Sequence, residues 1–263
     1  MTRRRFYAPV ESFDALESPR RVTLAADEAR HLRDVLRLRA GDEAYVFDGE
    51  GREYLCAVAE GGGGRTGALL EVRERVEPQR PESPLELTLG VALLKGEKFD
   101  WFVQKATELG ASRIVPLLTK RADVRLRDAR DAERRALRWQ RLALEAAKQS
   151  GRARVPSVAE PRALESVLAG EGADGESLRL LFAERGGRGL SDCLPELTAG
   201  STMRRPASAV ALVGPEGGWE DAELAQASDD GWSLVTLGGR TLRAETAAVA
   251  VAVLLQHLLG DIV

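Results

Sequence analysis

A chain of 263 residues with 44% hydrophobic content can bury a substantial core, which argues against global disorder and fits one large domain or two smaller ones. A net charge of -3 and an isoelectric point near 5.7 exclude a uniformly basic nucleic-acid binder and leave room only for a local basic patch. Cys56 and Cys193 make no CxxC and no ligand spacing, which argues against a disulfide scaffold or a bound metal and fits a reduced, cytoplasmic setting.

The N-terminal stretch MTRRRFYAPVESF has basic residues but no apolar segment, so it does not read as a secretory signal. Four β-type runs follow, RRVTLA, EAYVFDG, REYLCAVAE and ALLEVRERV, separated by Asp-Gly and glycine turns; they predict a small barrel or curled sheet. One helix interrupts them at DEARHLRDVLRL, with Asp27 as its N-cap and Leu32, Val35 and Leu36 on one face. The tetraglycine at 61–64 reads as a mobile hairpin loop, and it lacks the Lys-Ser/Thr ending of a phosphate loop. RVEPQRPESP, with three prolines and mixed charge, reads as a linker. It divides a first domain, 1–76, from a second, 77–263.

Beyond the linker the pattern changes. Apolar runs LELTLGVALL, RIVPLL, LRLLFAE, AVALVGPE and WSLVTLG alternate with helical segments, as in a parallel sheet covered on both faces, so the second domain reads as α/β. Its first clear helix, EKFDWFVQKATEL, places Phe99, Phe102, Val103, Ala106 and Leu109 on one stripe, and Gly110 stops it. From Lys120 to Arg154 twelve basic residues face five acidic ones, a local excess of seven. That segment is either a solvated helix face with i,i+4 pairs such as Asp131 with Arg135, or a track for phosphates. TAAVAVAVLLQHLL, 246–259, is too short to span a membrane and reads as a helix buried on most sides, with His257 satisfied within it; His31 reads as a surface or RNA-facing residue.

In an open parallel sheet, ligands bind beyond the carboxyl ends of the strands, where loops and helix starts present free backbone N–H groups. Three loops qualify: Ala183 to Gly187, Gly214 to Gly218, and Gly238 to Arg243. The glycines of the second allow close backbone approach, Pro215 stiffens it and Glu216 offers an acceptor. Alternatively it is only a tight strand-to-helix connection, with Glu220 and Asp221 favouring the helix dipole. The third loop sets Arg240, Arg243 and Glu245 just before an apolar helix, where they must pair with one another or await a ligand. His31 and His257 are the only histidines and lie outside these loops, so a Ser-His-Asp or Cys-His hydrolase is unsupported.

Five blocks then stand in a familiar order: HLRDVLRLRAGD (31–42), KGEKFDWFVQKATELGASRIVPLLTKRADVRL (95–126), RWQRLALEAAKQSGRARVP (138–156), VGPEGGW (213–219) and LGGRTLRAETAAVAVAVLLQHLLGD (237–261). In order and spacing the chain resembles, over nearly its whole length, the RsmE-type 16S ribosomal RNA uridine N3-methyltransferases. The resemblance implies an N-terminal PUA-like β-barrel for RNA and a C-terminal SPOUT domain, an α/β fold with a parallel sheet and a trefoil knot. It also implies a homodimer with no membrane association, acting on 16S rRNA or the small ribosomal subunit.

By the same resemblance the three loops hold S-adenosylmethionine through Phe182, Glu184, Gly214, Pro215, Glu216, Gly217, Gly218, Leu237, Gly238 and Leu242. Adenine held by backbone and leucines needs no acidic ribose-binding residue, which agrees with the absence of GxGxxG. N3 of uridine carries a proton and lies on the pairing edge, so the base must be unpaired and the proton removed. Arg243 is the first candidate to stabilise the developing anion and Arg240 the second, with Glu245 orienting one of them. Glu216 or water would take the proton. Arg4, Arg33, Arg37, Arg121, Arg125 and Arg152 are the candidate RNA contacts. Relatives commonly carry proline at Gly239 and threonine at Ala244. The alternatives are a related ribose 2′-O-methyltransferase and a non-catalytic ribosome-assembly protein.

Overall fold

The computed structural model describes residues 3–14, 20–64, 67–173, 177–193 and 207–263. The chain forms two compact units, Met1–Glu82 with Ala147–Val155, and Ser83–Ala146 with Pro156–Val263.

The first unit is built on a mixed five-stranded sheet of β1 (Arg5–Tyr7), β2 (Arg21–Leu24), β3 (Glu43–Phe47), β4 (Glu53–Gly64) and β5 (Gly67–Val76), in the order β1-β3-β4-β5-β2. Only the β1/β3 pair is parallel. Period-two alternation sends Val22, Leu24, Ala44, Val46, Cys56 and Leu70 into one core with Phe6, Ala29 and Leu32. Burial alone pushes the Cys56 thiol up to about 12, so it stays protonated. The tetraglycine is not a loop: it continues β4, with Gly63 opposite Ala68 and Gly64 opposite Gly67. The partner run of β5 supplies the ladder bonds that side-chain-free residues still require, and a register break between Val58 and Gly63 absorbs the mismatch.

Helix α1 (Ala26–Arg30) differs from expectation at both ends. Its N-cap is the extended Ala25, while Asp27 lies in the first turn and accepts from Arg30 Nη2 at 2.8 Å. Residues His31–Val35 form a π-helical turn in which Leu36 N–H reaches His31 O at 3.0 Å. The wider turn rotates the following residues about the axis, so Leu32 is buried while Val35 is 64% exposed. Buried charges in this unit are paired. Glu53, fully buried, accepts from Arg5 Nε at 3.2 Å and Gln79 N–H at 2.9 Å and pairs with Arg3 at 3.2 Å. Arg152 is buried and donates to Glu82 Oε2 from Nε at 3.0 Å and Nη2 at 2.7 Å. A phosphate contact at Arg152 would have to compete with that charge pair for the guanidinium.

The second unit holds a wholly parallel sheet of β6 (Glu86–Ala92), β7 (Arg113–Leu118), β8 (Ser157–Val158), β10 (Leu178–Phe182), β11 (Arg188–Gly189), β12 (Ser208–Val213) and β13 (Ser233–Thr236), with β9 (Arg162–Ala163) pairing β7. The order is β11-β13-β10-β12-β6-β7-β8, and the central strands are apolar almost throughout because both faces are covered. The helices are α2 (Lys98–Glu108), α3 (Ala129–Ser150), α4 (Leu164–Gly170), α5 (Asp221–Asp229) and α6 (Ala244–Leu259). On α2 the predicted residues Phe99, Phe102, Val103 and Ala106 are buried, and Gly110 follows in the left-handed region at φ 85°.

Asp128 caps α3 by accepting Asp131 N–H at 2.8 Å. Asp128→Ala is expected to cost about 1 kcal/mol of unfolding free energy, read from a urea titration. Burial raises the Asp131 carboxyl, but hydrogen bonds from Arg134, Arg127 N–H and Arg135 win and hold it below its ordinary value. Its stabilisation is therefore complete above the usual carboxylate range and is lost as pH falls through the lowered native pKa. Much of the basic segment is consumed locally, since Arg138 pairs with Asp100 and Arg125 donates to Lys120 O at 3.0 Å, while Arg127, Arg130 and Arg141 face solvent.

Helix α6 packs on α2, β6 and β12. It is less enclosed than its composition suggests, because Leu254 and Leu258 remain 37% and 38% exposed. His257 Nδ1 lies 3.0 Å from Ile262 O, the satisfied helix residue expected. Among the described residues no helix is long and apolar enough to cross a membrane.

Candidate active site

Three neighbouring strands place the site. β10 lies between β12 and β13, with Phe182 in register with both Val213 and Val235. Parallel strands in register end level, so their following loops leave the sheet on the same side. These loops enclose a cavity of about 260 Å³. All ten residues expected to hold a cofactor line it, and Arg240 lies on its rim. The starts of α5 and α6 contribute Asp221, Leu224, Ala244 and Ala247.

Trp219 braces the middle loop and itself lines the cavity. Its indole Nε1 donates to Phe182 O at 2.9 Å, and its ring lies where a β-carbon on Gly214 would come within 2.9 Å. Only glycine lets the backbone pass that close. Gly218 N–H closes a turn onto Pro215 O at 2.9 Å, and Gly218 occupies φ 69°. Helix α5 then begins at its N-cap, Glu220. The buried Glu223 carboxylate accepts Glu220 N–H at 2.8 Å and Lys120 N–H at 3.0 Å, joining the start of α5 to the exit of β7. In the third loop Gly239 sits at φ 72°, which proline cannot adopt, so this loop follows a path closed to a chain with proline there.

The charges sort differently from expectation. Glu245 orients neither arginine: its Oε1 lies 3.4 Å from Lys98 Nζ, which also donates to Glu216 Oε1 at 3.0 Å. Hydrogen bonding to Glu216 leads the effects that raise the Lys98 pKa and keep it charged. Glu245 Oε2 is buried without a hydrogen-bond partner among the described residues. Arg243 is the N-cap of α6, exposed and outside the cavity lining, although the flanking Leu242 and Ala244 both line it. Neither Arg240 nor Arg243 makes an ion pair among the described residues.

Arg121, expected to contact RNA, is exposed and lines the cavity, where Nη1 donates to Gly217 O at 3.3 Å and Nε lies 3.9 Å from Glu220. Arg4 and Arg37 are exposed in the first unit, and Arg37 is strained into φ 55°. Arg33 is half-buried and partnered. Sequence reasoning missed Lys98, Trp219 and the placement of Arg121. Lys98 did leave a signal: a cation in the first turn opposes the helix dipole and asks for a carboxylate.

Leucines and glycine backbone line part of the cavity, and side chains of both charges, Arg121, Arg185 and Arg240 with Glu184, Glu216 and Asp221, line the rest. Among the described residues no three His, Cys, Asp or Glu side chains gather as a metal site.

The chain matches two families, one described as an RNA methyltransferase domain over residues 81–256 and one as an RNA methyltransferase PUA domain over 24–65. It is 37% identical to a ribosomal RNA small subunit methyltransferase E of Synechocystis, over 86% of this chain and 69% of that one. It is 29% identical to the protein of that name from Bacillus subtilis, over 86% of this chain and 85% of the other. The crystal structure of a ribosomal RNA small subunit methyltransferase E from Neisseria gonorrhoeae, bound to S-adenosylmethionine, is 32% identical, covers all of both chains and superposes with a TM-score of 0.82.

Proposed function

We propose, from the premise that this chain belongs to the ribosomal RNA small subunit methyltransferase E family, that it methylates N3 of a uridine in 16S rRNA with S-adenosylmethionine as donor. The fold agrees with that family, a mixed PUA-like sheet followed by a parallel α/β unit of the SPOUT kind. The observation that carries the reading is the convergence of three loops, far apart in sequence, on one cavity at the carboxyl edge of the sheet. The first unit, Met1–Glu82 with Ala147–Val155, which differs from the expected 1–76, is assigned to RNA binding and the second to transfer, with the loops threaded as a trefoil knot.

The donor fits this cavity by its chemistry. Leu237, Gly238 and Leu242 line the cavity and would hold adenine through apolar and backbone contact, while the Glu184 and Glu216 side chains would offer carboxylates to the sulfonium. The donor supplies an electrophilic methyl group, whose bond to sulfur breaks as a bond to N3 forms. Arg243, unpaired among the described residues, stabilises the negative charge on the pyrimidine, with Arg240 beside the donor. The N3 proton leaves to Glu216 or to water. Arg4, Arg33, Arg37 and Arg125 contact the rRNA. The protein acts in the cytoplasm as a homodimer, for which Leu254 and Leu258 of α6 offer an exposed apolar stripe.

The test is nucleoside analysis of small-subunit rRNA from a deletion strain, with and without the gene restored. N3-methyluridine is expected only with the gene. Methylation at a ribose 2′-hydroxyl would move the assignment to the related knotted enzymes. A protein that binds rRNA but shows no calorimetric heat with S-adenosylmethionine would be an assembly factor.

A further inference from the structure

Two walls of the cavity belong to loops that follow different strands of the sheet, β12 and β13. One is the Pro215–Gly218 turn carrying Glu216, and the other is Leu242–Ala244, which runs directly into Glu245 at the start of α6. Lys98 is the link between them. Its ammonium reaches Glu216 at 3.0 Å and Glu245 at 3.4 Å, from a first turn of α2 anchored by the buried Phe99 and Phe102. Helix α6 packs on α2, so the lysine and Glu245 rise from two helices packed together while Glu216 rides on a loop.

Without the cation, two carboxylates within reach of one point would repel each other. Glu245 is mostly buried and its second oxygen has no hydrogen-bond partner, so among the described residues Lys98 is its one ion-pair partner. An uncompensated charge there would displace the foot of α6 or drive the loop outward.

We infer that Lys98 is a positioning residue for the transfer reaction, holding the Glu216 turn and the start of α6 at the separation that the methyl donor requires. Lys98 does not line the cavity; it acts through the two glutamates. The inference rests on the methyl-donor reading of the cavity.

The experiment compares wild type, Lys98→Met, Lys98→Arg and the double variant Lys98→Met with Glu245→Gln. Donor Kd is measured by calorimetry, and donor KM and kcat on small-subunit RNA. Lys98→Met is expected to raise Kd and KM about tenfold, a coupling of ordinary size for contacting charges, while kcat at saturating donor stays within about threefold. Lys98→Arg keeps the cation and recovers most of the affinity. The double variant removes the facing charge and recovers it as well, which a purely packing role for the lysine would not produce. Unchanged donor affinity in Lys98→Met overturns the inference, as does a loss that neither companion variant relieves. Wild-type protein that fails to bind the donor sinks the reading of the cavity instead, so the two failures are distinguishable.

Discussion

Arg243→Ala is expected to lower kcat by about 10²- to 10³-fold, the range found when a single stabilising donor is removed from a developing anion, while the donor Kd changes by less than about threefold. The separation follows from geometry. Arg243 caps α6, exposed and unpaired among the described residues, between two residues that line the cavity without lining it itself. Its loss therefore leaves the lining of the cavity in place and removes the cation proposed to stabilise the pyrimidine anion. Arg243→Lys retains charge but not the planar fork and should recover only part of the rate. Arg240 lines the cavity, so Arg240→Ala should act on donor affinity as well as turnover. An equal collapse of affinity and turnover in Arg243→Ala would show the residue to be structural.

Trp219→Ala is expected to destabilise the protein by about 3–5 kcal/mol, the cost of deleting a buried large aromatic, and to abolish measurable donor binding. Trp219 is almost wholly buried, packs against Gly214 and ties the middle loop to the end of β10 through Phe182 O. Removing it opens a void against the glycine turn, takes a side chain from the cavity lining and removes the donor to Phe182 O. Trp219→Phe keeps most of the packing and should lose about 1 kcal/mol, the net value of the hydrogen bond. Urea unfolding and calorimetry with S-adenosylmethionine read the two effects. Retention of donor affinity in Trp219→Ala would mean that the turn is shaped by its own sequence and not by the indole.

Trp219 also marks where reading residues in order runs out. The glycine turn was legible because proline, glycines and acids in a row restrict the backbone locally. That the indole folds back against the turn depends on β10 lying beside β12, a neighbour relation between segments far apart in the chain. The same holds for Lys98 and Arg121. Both stand in recognisable blocks, yet their partners Glu216, Glu245 and Gly217 come from the other end of the second unit. Arg152 is the converse, a cation whose place in a basic run suggests phosphates although Glu82 holds it in the interior.

Periodicity and turn chemistry by themselves determined the alternation of strands and helices, the apolar stripe of α2 and the three glycine-bearing loops, because each depends on neighbours within a few residues. The π turn at His31–Val35 and the extension of β4 through four glycines also rest on near neighbours, Leu36 bonding to His31 and Gly64 facing Gly67, but through bonds that side-chain pattern does not announce. Only the tertiary structure decided the assignment of each charge at the cavity. Side-chain charge has no period: which carboxylate meets which cation depends on three-dimensional distance, and that distance exists only once the sheet has set its strand order.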